Sequence, residues 1–148
     1  MTAECVIDTT VLQKANAPLR HAPREVSRFA DRVRLLKRIA DGELTLLISP
    51  KLLAEYGRQV PEPRNDTVRV FLELITLRSE RVFVNWKKRW AGRDREAARH
   101  CRFPREDDHV LRTAIRPQVS TIITEEGRML RADACVYRAF RVHIREPW

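Results

Sequence analysis

Short runs of apolar and β-branched residues recur along the chain, separated by longer stretches whose apolar positions fall three and four residues apart. Residues 5–7, 44–48, 82–84 and 121–124 are such runs, and 141–144 alternates, with Val142 and Ile144 on one side. Runs this short and this apolar suit strands covered on both faces, the environment of a parallel sheet. Between them lie helical stripes. The first comprises Val26, Phe29, Ala30, Val33, Leu36 and Ala40; the second Leu52, Leu53, Tyr56 and Val60. The third is Val68, Phe71, Leu72 and Ile75, and the fourth Val110, Leu111, Ala114 and Ile115. Local punctuation agrees. Pro23 and Pro104 open helices, Ser49-Pro50 supplies a cap followed by proline at the first helical position, Asp41-Gly42 stops one helix, and Pro61 and Pro117 end others. Short helices are expected from Val11 and from Glu126 to Leu130, and residues 141–144 as an edge strand. Strand and helix alternate throughout, which predicts α/β: a three-layer α/β/α sandwich with a mostly parallel central sheet, in one domain over residues 1–148.

Composition narrows the class. At 148 residues, 43% apolar and 33% charged, the chain can bury a real core and suits a globular fold. No apolar run approaches the ~20 residues that span a bilayer, so no membrane association is expected. The N-terminus has no basic region leading into an apolar stretch; no signal peptide and a cytoplasmic location are expected. Cys5, Cys101 and Cys135 are odd in number, far apart and without a CxxC pair, so neither a disulfide nor a structural zinc site is expected. His100-Cys101 reads as a loop histidine beside an ordinary cysteine.

The net charge of +9 implies an anionic partner. Residues 86–105 hold eight Lys/Arg against two acids, a local +6. Nucleic acid is the first candidate and an acidic protein segment the second.

In so basic a chain the placement of acids is informative. Asp8 ends the first strand, and Glu126 follows the fourth by two residues. In a parallel sheet both emerge at the carboxyl edge, where open α/β sheets place their sites. Asp107 is more telling. On a helix advancing about 100° per residue, Val110, Leu111, Ala114 and Ile115 all fall within roughly 80° of it. A carboxylate on the apolar face is costly unless a cation meets it. Asp108 sits at the edge of that stripe, and its role is open among ligand, supporting partner and surface acid. Glu55 lies off its own helix's stripe and by pattern alone reads as a solvated helix-face residue. His109 lies opposite the stripe and is expected to face solvent. The other histidines, His21, His100 and His143, show no mutual spacing that suggests a dyad.

At these residues the chain resembles the PIN-domain nucleases, in particular the VapC-type toxin ribonucleases. The resemblance is carried by Val6-Ile7-Asp8-Thr9-Thr10-Val11-Leu12, by Ser49-Pro50 through Leu53-Ala54-Glu55-Tyr56, by Asp107-Asp108-His109-Val110-Leu111-Arg112-Thr113-Ala114, and by Ile122-Ile123-Thr124-Glu125-Glu126 through Met129-Leu130. It implies Asp8, Glu55, Asp107 and Glu126 as the catalytic acids, with Glu126 standing where the family usually has aspartate. It implies cleavage of RNA phosphodiesters with Mg2+ or Mn2+, hard cations that take oxygen ligands. Asp8 and Asp107 are then the principal metal ligands, Glu55 and Glu126 complete the site, and Asp108 assists.

Substrate contacts are expected from Trp86, Lys87, Lys88, Arg89 and Trp90, with Thr10 beside the acids. Aromatic faces stack on unpaired bases while cations track phosphates; equally, the tryptophans can cap the core with the cations merely solvated. The expected partners are RNA and, for a toxin, an acidic antitoxin protein. A homodimer is compatible with the chain, although no heptad or large apolar patch marks its surface. Two other roles stay open: a non-catalytic RNA-binding or scaffold module, which Glu126 permits, and a nuclease acting on DNA flaps.

Overall fold

The computed structural model describes residues 2–19, 21–77, 80–85 and 90–148. The first half runs β1 (Ala3–Ile7), α1 (Thr9–Asn16), α2 (Pro23–Ala40), β2 (Leu44–Ile48), α3 (Pro50–Gln59), α4 (Asp66–Thr76) and β3 (Val82–Val84). The second half runs α5 (Gly92–His100), a 3-10 turn (Arg105–Asp107), α6 (Asp108–Ala114), β4 (Ser120–Ile123), α7 (Gly127–Arg131), α8 (Asp133–Phe140) and β5 (Val142–Arg145). Among the described residues the sheet has five strands in the order β3-β2-β1-β4-β5, and every pairing is parallel. The alternation of strand and helix read from the sequence is therefore the observed architecture, with β5 at an edge as expected.

The order reverses direction between β1 and β4. Right-handed crossovers then put α1–α4 on one face of the sheet and α5–α8 on the other. The core is built where these layers meet, from strand residues such as Val6, Ile7, Leu46, Leu47 and Ile122 and from helix residues such as Leu12, Leu36, Tyr56 and Leu111. Ser49 caps α3 as its sequence signal predicts, accepting a hydrogen bond from the Leu52 amide at 3.4 Å, and Asn65 caps α4, accepting one from the Val68 amide at 2.9 Å.

Several expectations are corrected. The stripe on α2 is rotated: the buried residues are Arg32, Leu35, Leu36 and Ile39, while Val26 and Ala30 are exposed. Arg32 can turn inward because Glu125 meets it, at 2.6 Å from Nε and 2.7 Å from Nη2. Leu53 of α3 is exposed rather than in its helix's apolar face. His109 is buried, not solvent-facing, because α6 meets α3 as well as β1, β2 and β4, and the His109 ring lies against Glu55 of α3. Residues 92–100, read only as part of a basic stretch, form α5, and His100 ends that helix. Helix α8 was not legible as a separate element. The largest correction is covalent: Cys101 and Cys135 form a disulfide, with Cα atoms 5.4 Å apart. Packing of α5 against α8 brings together two cysteines 34 residues apart, which no spacing rule reveals. Cys5 is the free, buried cysteine. No helix among the described residues is long and apolar enough to cross a membrane.

Candidate metal centre

The reversal between β1 and β4 opens a crevice at their carboxyl ends, and the acids gather there. Register explains two of them. Ile7 pairs with Ile123, so the next residues, Asp8 and Thr124, leave the sheet side by side, with the Asp8 amide donating to the Ile123 carbonyl at 2.9 Å. Asp8 is only 3% exposed. Its Oδ2 accepts hydrogen bonds from the Thr124 hydroxyl at 2.7 Å and the Thr10 hydroxyl at 2.8 Å. The same Thr124 oxygen accepts from the Glu126 amide at 3.0 Å, so one buried hydroxyl aligns the acids of both strands. Thr10, expected at the substrate, is thus seen holding Asp8.

Asp107 arrives from the other side of the crevice. Beyond Cys101 the chain turns through Arg102, whose φ of 59° is left-handed, and Phe103 and Pro104 are buried. This anchors the 3-10 turn that carries Asp107 to the start of α6. The outcome is a three-carboxylate group: Glu106, Asp107 and Glu126 each offer an oxygen within 4.8 Å of the others. Burial chiefly, then the negative charges of Asp8 and Glu126, push the Asp107 carboxyl up to about 7 from the ordinary 3.8. Asp8 is raised too, first by burial and then by the charges of Glu126 and Glu55, against the lowering effect of its two hydroxyl partners.

Glu55 is in the site rather than on a solvated helix face. Its Oε1 accepts from the Thr9 hydroxyl at 2.5 Å, and its Oε2 lies 2.7 Å from His109 Nε2. Burial lowers the His109 pKa from its ordinary value, against the opposing pull of Glu55. Glu55 also approaches Asp8 closely enough to repel its charge. The neighbouring Tyr56 hydroxyl donates to the Ile7 carbonyl, tying α3 to the end of β1 just before Asp8. The Thr113 hydroxyl donates to the His109 carbonyl at 2.6 Å and lies 2.8 Å from Ser49 Oγ, joining α6 to the start of α3.

The structure therefore brings together Asp8, Glu55, Asp107 and Glu126, the four acids singled out in the sequence. Asp108 points elsewhere: it is ion-paired with Arg99 of α5. Glu106 joins the cluster in its place and was missed, because as an exposed residue before a helix it left no periodic signal. Arg128 was missed as well. Its guanidinium lies 2.5 Å from Glu106 and 2.7 Å from Glu126. Trp86, Lys87, Lys88 and Arg89 lie outside the described residues. Trp90 is buried, with the Arg112 guanidinium 5.8 Å from its ring centre, so its faces are taken up by the core rather than offered to bases.

How the chain treats its other buried acids shows what this site lacks. Glu4, near the opposite edge of the sheet, pairs with Arg116 at 2.9 Å, and Glu125 pairs with Arg32. Asp8 and Asp107 have no Lys or Arg partner among the described residues. Carboxylates crowded until one holds its proton to about neutral pH, and supplied with oxygen donors only, fit a hard divalent cation.

A family model described as PIN domain matches residues 4–128. A search of curated proteins finds no match.

Proposed function

The chain belongs to the PIN domain family, whose members are generally nucleases, and from that premise we propose that it is a metal-dependent endoribonuclease. The observation that carries the reading is the buried Asp8 and the half-buried Asp107, both without a Lys or Arg partner among the described residues, with Glu106 and Glu126 crowding Asp107 and Glu55 near enough to repel Asp8. Mg2+ or Mn2+ held there supplies Lewis-acid charge for the phosphoryl oxygens and a more acidic bound water. The chain's own part is to fix the ligands. Thr10 and Thr124 hold the Asp8 carboxylate in one rotamer, and Thr9 and His109 hold Glu55, so little rearrangement is needed when the cation enters.

RNA as substrate rests on the resemblance and on the net charge of +9, which favours a polyanion. The same basic surface suits an acidic antitoxin, which would make the protein the toxin of a toxin–antitoxin pair. A specific feature favours a second reading: Glu126 replaces the usual aspartate and is paired with Arg128, as in a site whose metal affinity has been lost. The protein would then be a non-catalytic RNA-binding module.

One assay separates them. Purified protein with labelled RNA and Mn2+ is expected to cleave, to stop on addition of EDTA, and to lose cleavage in Asp8→Asn with an unchanged circular dichroism spectrum. Binding without cleavage would establish the second reading, and full activity in Asp8→Asn would remove Asp8 from the site.

A further inference from the structure

Arg128 is the cation that the acid cluster supplies for itself. It stands at the second position of α7, two residues beyond Glu126. Its Nη2 reaches Glu106 Oε1 at 2.5 Å and Glu126 Oε1 at 2.7 Å, and its Nε donates to the same Glu126 oxygen at 2.8 Å. One guanidinium thus closes two of the three carboxylates whose oxygens crowd together around Asp107. Its hold is light. Arg128 and Glu106 are 56% and 58% exposed, unlike the Arg32–Glu125 pair at 4% and 5%, which is locked inside the fold. Exposed ion pairs are weak and exchangeable. A divalent cation drawn to Glu106, Asp107 and Glu126 has to compete with Arg128 for those same oxygens. Once displaced, the guanidinium remains tethered beside the centre, and its planar fork of donors matches two oxygens of a phosphodiester.

We propose that Arg128 is an exchangeable place-holder: it neutralises Glu106 and Glu126 while the centre is empty, yields them to the divalent ion, and then holds a non-bridging oxygen of the substrate phosphodiester. This rests on the reading of the site as a metal-dependent nuclease centre. Arg128 is a positioning residue before the metal enters and a substrate-binding one afterwards.

The test separates the two halves of the exchange from each other and from the nuclease reading. Mn2+ binding is measured by calorimetry without RNA in wild type, Arg128→Gln, Arg128→Lys and Arg131→Gln, the last removing an exposed arginine of the same helix that is not paired with the cluster. Losing two exposed ion pairs should tighten Mn2+ binding in Arg128→Gln by roughly two- to tenfold, with Arg128→Lys between it and wild type and Arg131→Gln unchanged. Affinity for a labelled single-stranded RNA, measured in Ca2+, should fall about threefold or more in Arg128→Gln alone, the size of one lost charge-assisted contact. Mn2+ binding that is unchanged or weaker in Arg128→Gln overturns the place-holder role. Unchanged RNA affinity overturns the phosphate contact. A wild-type protein that binds no Mn2+ overturns the nuclease reading and the exchange with it.

Discussion

Buried carboxylates in this chain meet one of two fates. Glu125 shows the first: burial works against its charge, but Arg32 and Lys14 more than offset this and hold its carboxyl below the usual range. Asp8 and Asp107 show the second: removal from water, nearly complete for Asp8 and partial for Asp107, and then the charges of neighbouring acids raise both, against the hydroxyl bonds that pull Asp8 down. The difference has a pH signature. Asp107 shifts from an ordinary 3.8 to about 7, so the folded protein favours its protonated form. The stability this confers is complete below the unfolded value and is lost as pH rises through the folded one. Without metal, the melting temperature should therefore fall between about pH 5 and pH 8, and Asp8 shifts in the same direction. Mn2+ has to displace that proton, so the thermal gain it gives should grow over the same interval. Melts with and without Mn2+ across this range check both trends. An Asp107→Asn variant should flatten them, and trends that persist unchanged in it would assign them to other groups. At this scale the sequence was informative where a residue broke a pattern. Asp107 was legible because on a helical wheel it falls among the apolar residues of the following helix, although it stands in the 3-10 turn ahead of α6, and Asp8 because it ended an apolar strand. Glu106 and Arg128 break no pattern, and only their proximity to Glu126 in space shows their part.

At the scale of elements, the strands read more surely than the helix faces. A short strand buried on both sides has no face to misassign, so β2 was legible to the residue and β1 and β4 to within one or two; β3, an edge strand with Phe83 exposed, was marked by its β-branched run instead. A helix on the surface of the sheet must choose a face, and partners remote in sequence bias the choice. On α2, Val26, Phe29, Ala30 and Val33 suggested one stripe, yet Arg32 is the residue that goes inside. The strand-end residue Glu125, far along the chain, explains the inversion. This ion pair docks α2 onto the turn that carries Thr124 and Glu126. Replacing Arg32 by leucine leaves Glu125, among the described residues, with only the exposed Lys14 at 3.3 Å, which should cost up to roughly 3–5 kcal/mol. The double variant Arg32→Leu/Glu125→Leu should recover most of that, as removing both charges removes the desolvation penalty. Urea denaturation of the single and double variants measures the difference; a single variant as stable as wild type would show that the pair does not dock the helix. His109 follows the same logic: its side of α6 looked free from the sequence and is instead covered by α3.

For the whole molecule, the decisive feature is the order β3-β2-β1-β4-β5, since it sets Asp8 and Glu126 on adjacent strands and opens the crevice between their ends. The Cys101–Cys135 link adds a constraint of a different kind. It ties the end of α5 to α8 across 34 residues, and the enclosed loop contains the turn bearing Glu106 and Asp107 as well as the β4 end bearing Glu126. Closing a loop of this length restricts the unfolded chain by about 3–4 kcal/mol. Reduction with dithiothreitol should lower the urea midpoint accordingly, and a Cys135→Ser variant should match the reduced wild type and no longer respond to the reagent; a midpoint indifferent to dithiothreitol would remove the disulfide from the stability of the fold. Periodicity, caps and turn residues act over a few positions, so the sequence by itself determined the alternation of strand and helix, the parallel sheet that follows from it, and the acids Asp8, Asp107 and Glu126 that stand near element ends, whereas Glu55, inside α3, was singled out only by the family resemblance. Which helix face turns inward, which cysteines meet, and which additional acid and arginine complete the cluster depend on pairs of surfaces separated by tens of residues. Packing free energy selects those pairs only when the layers come together, and that choice belongs to the tertiary structure.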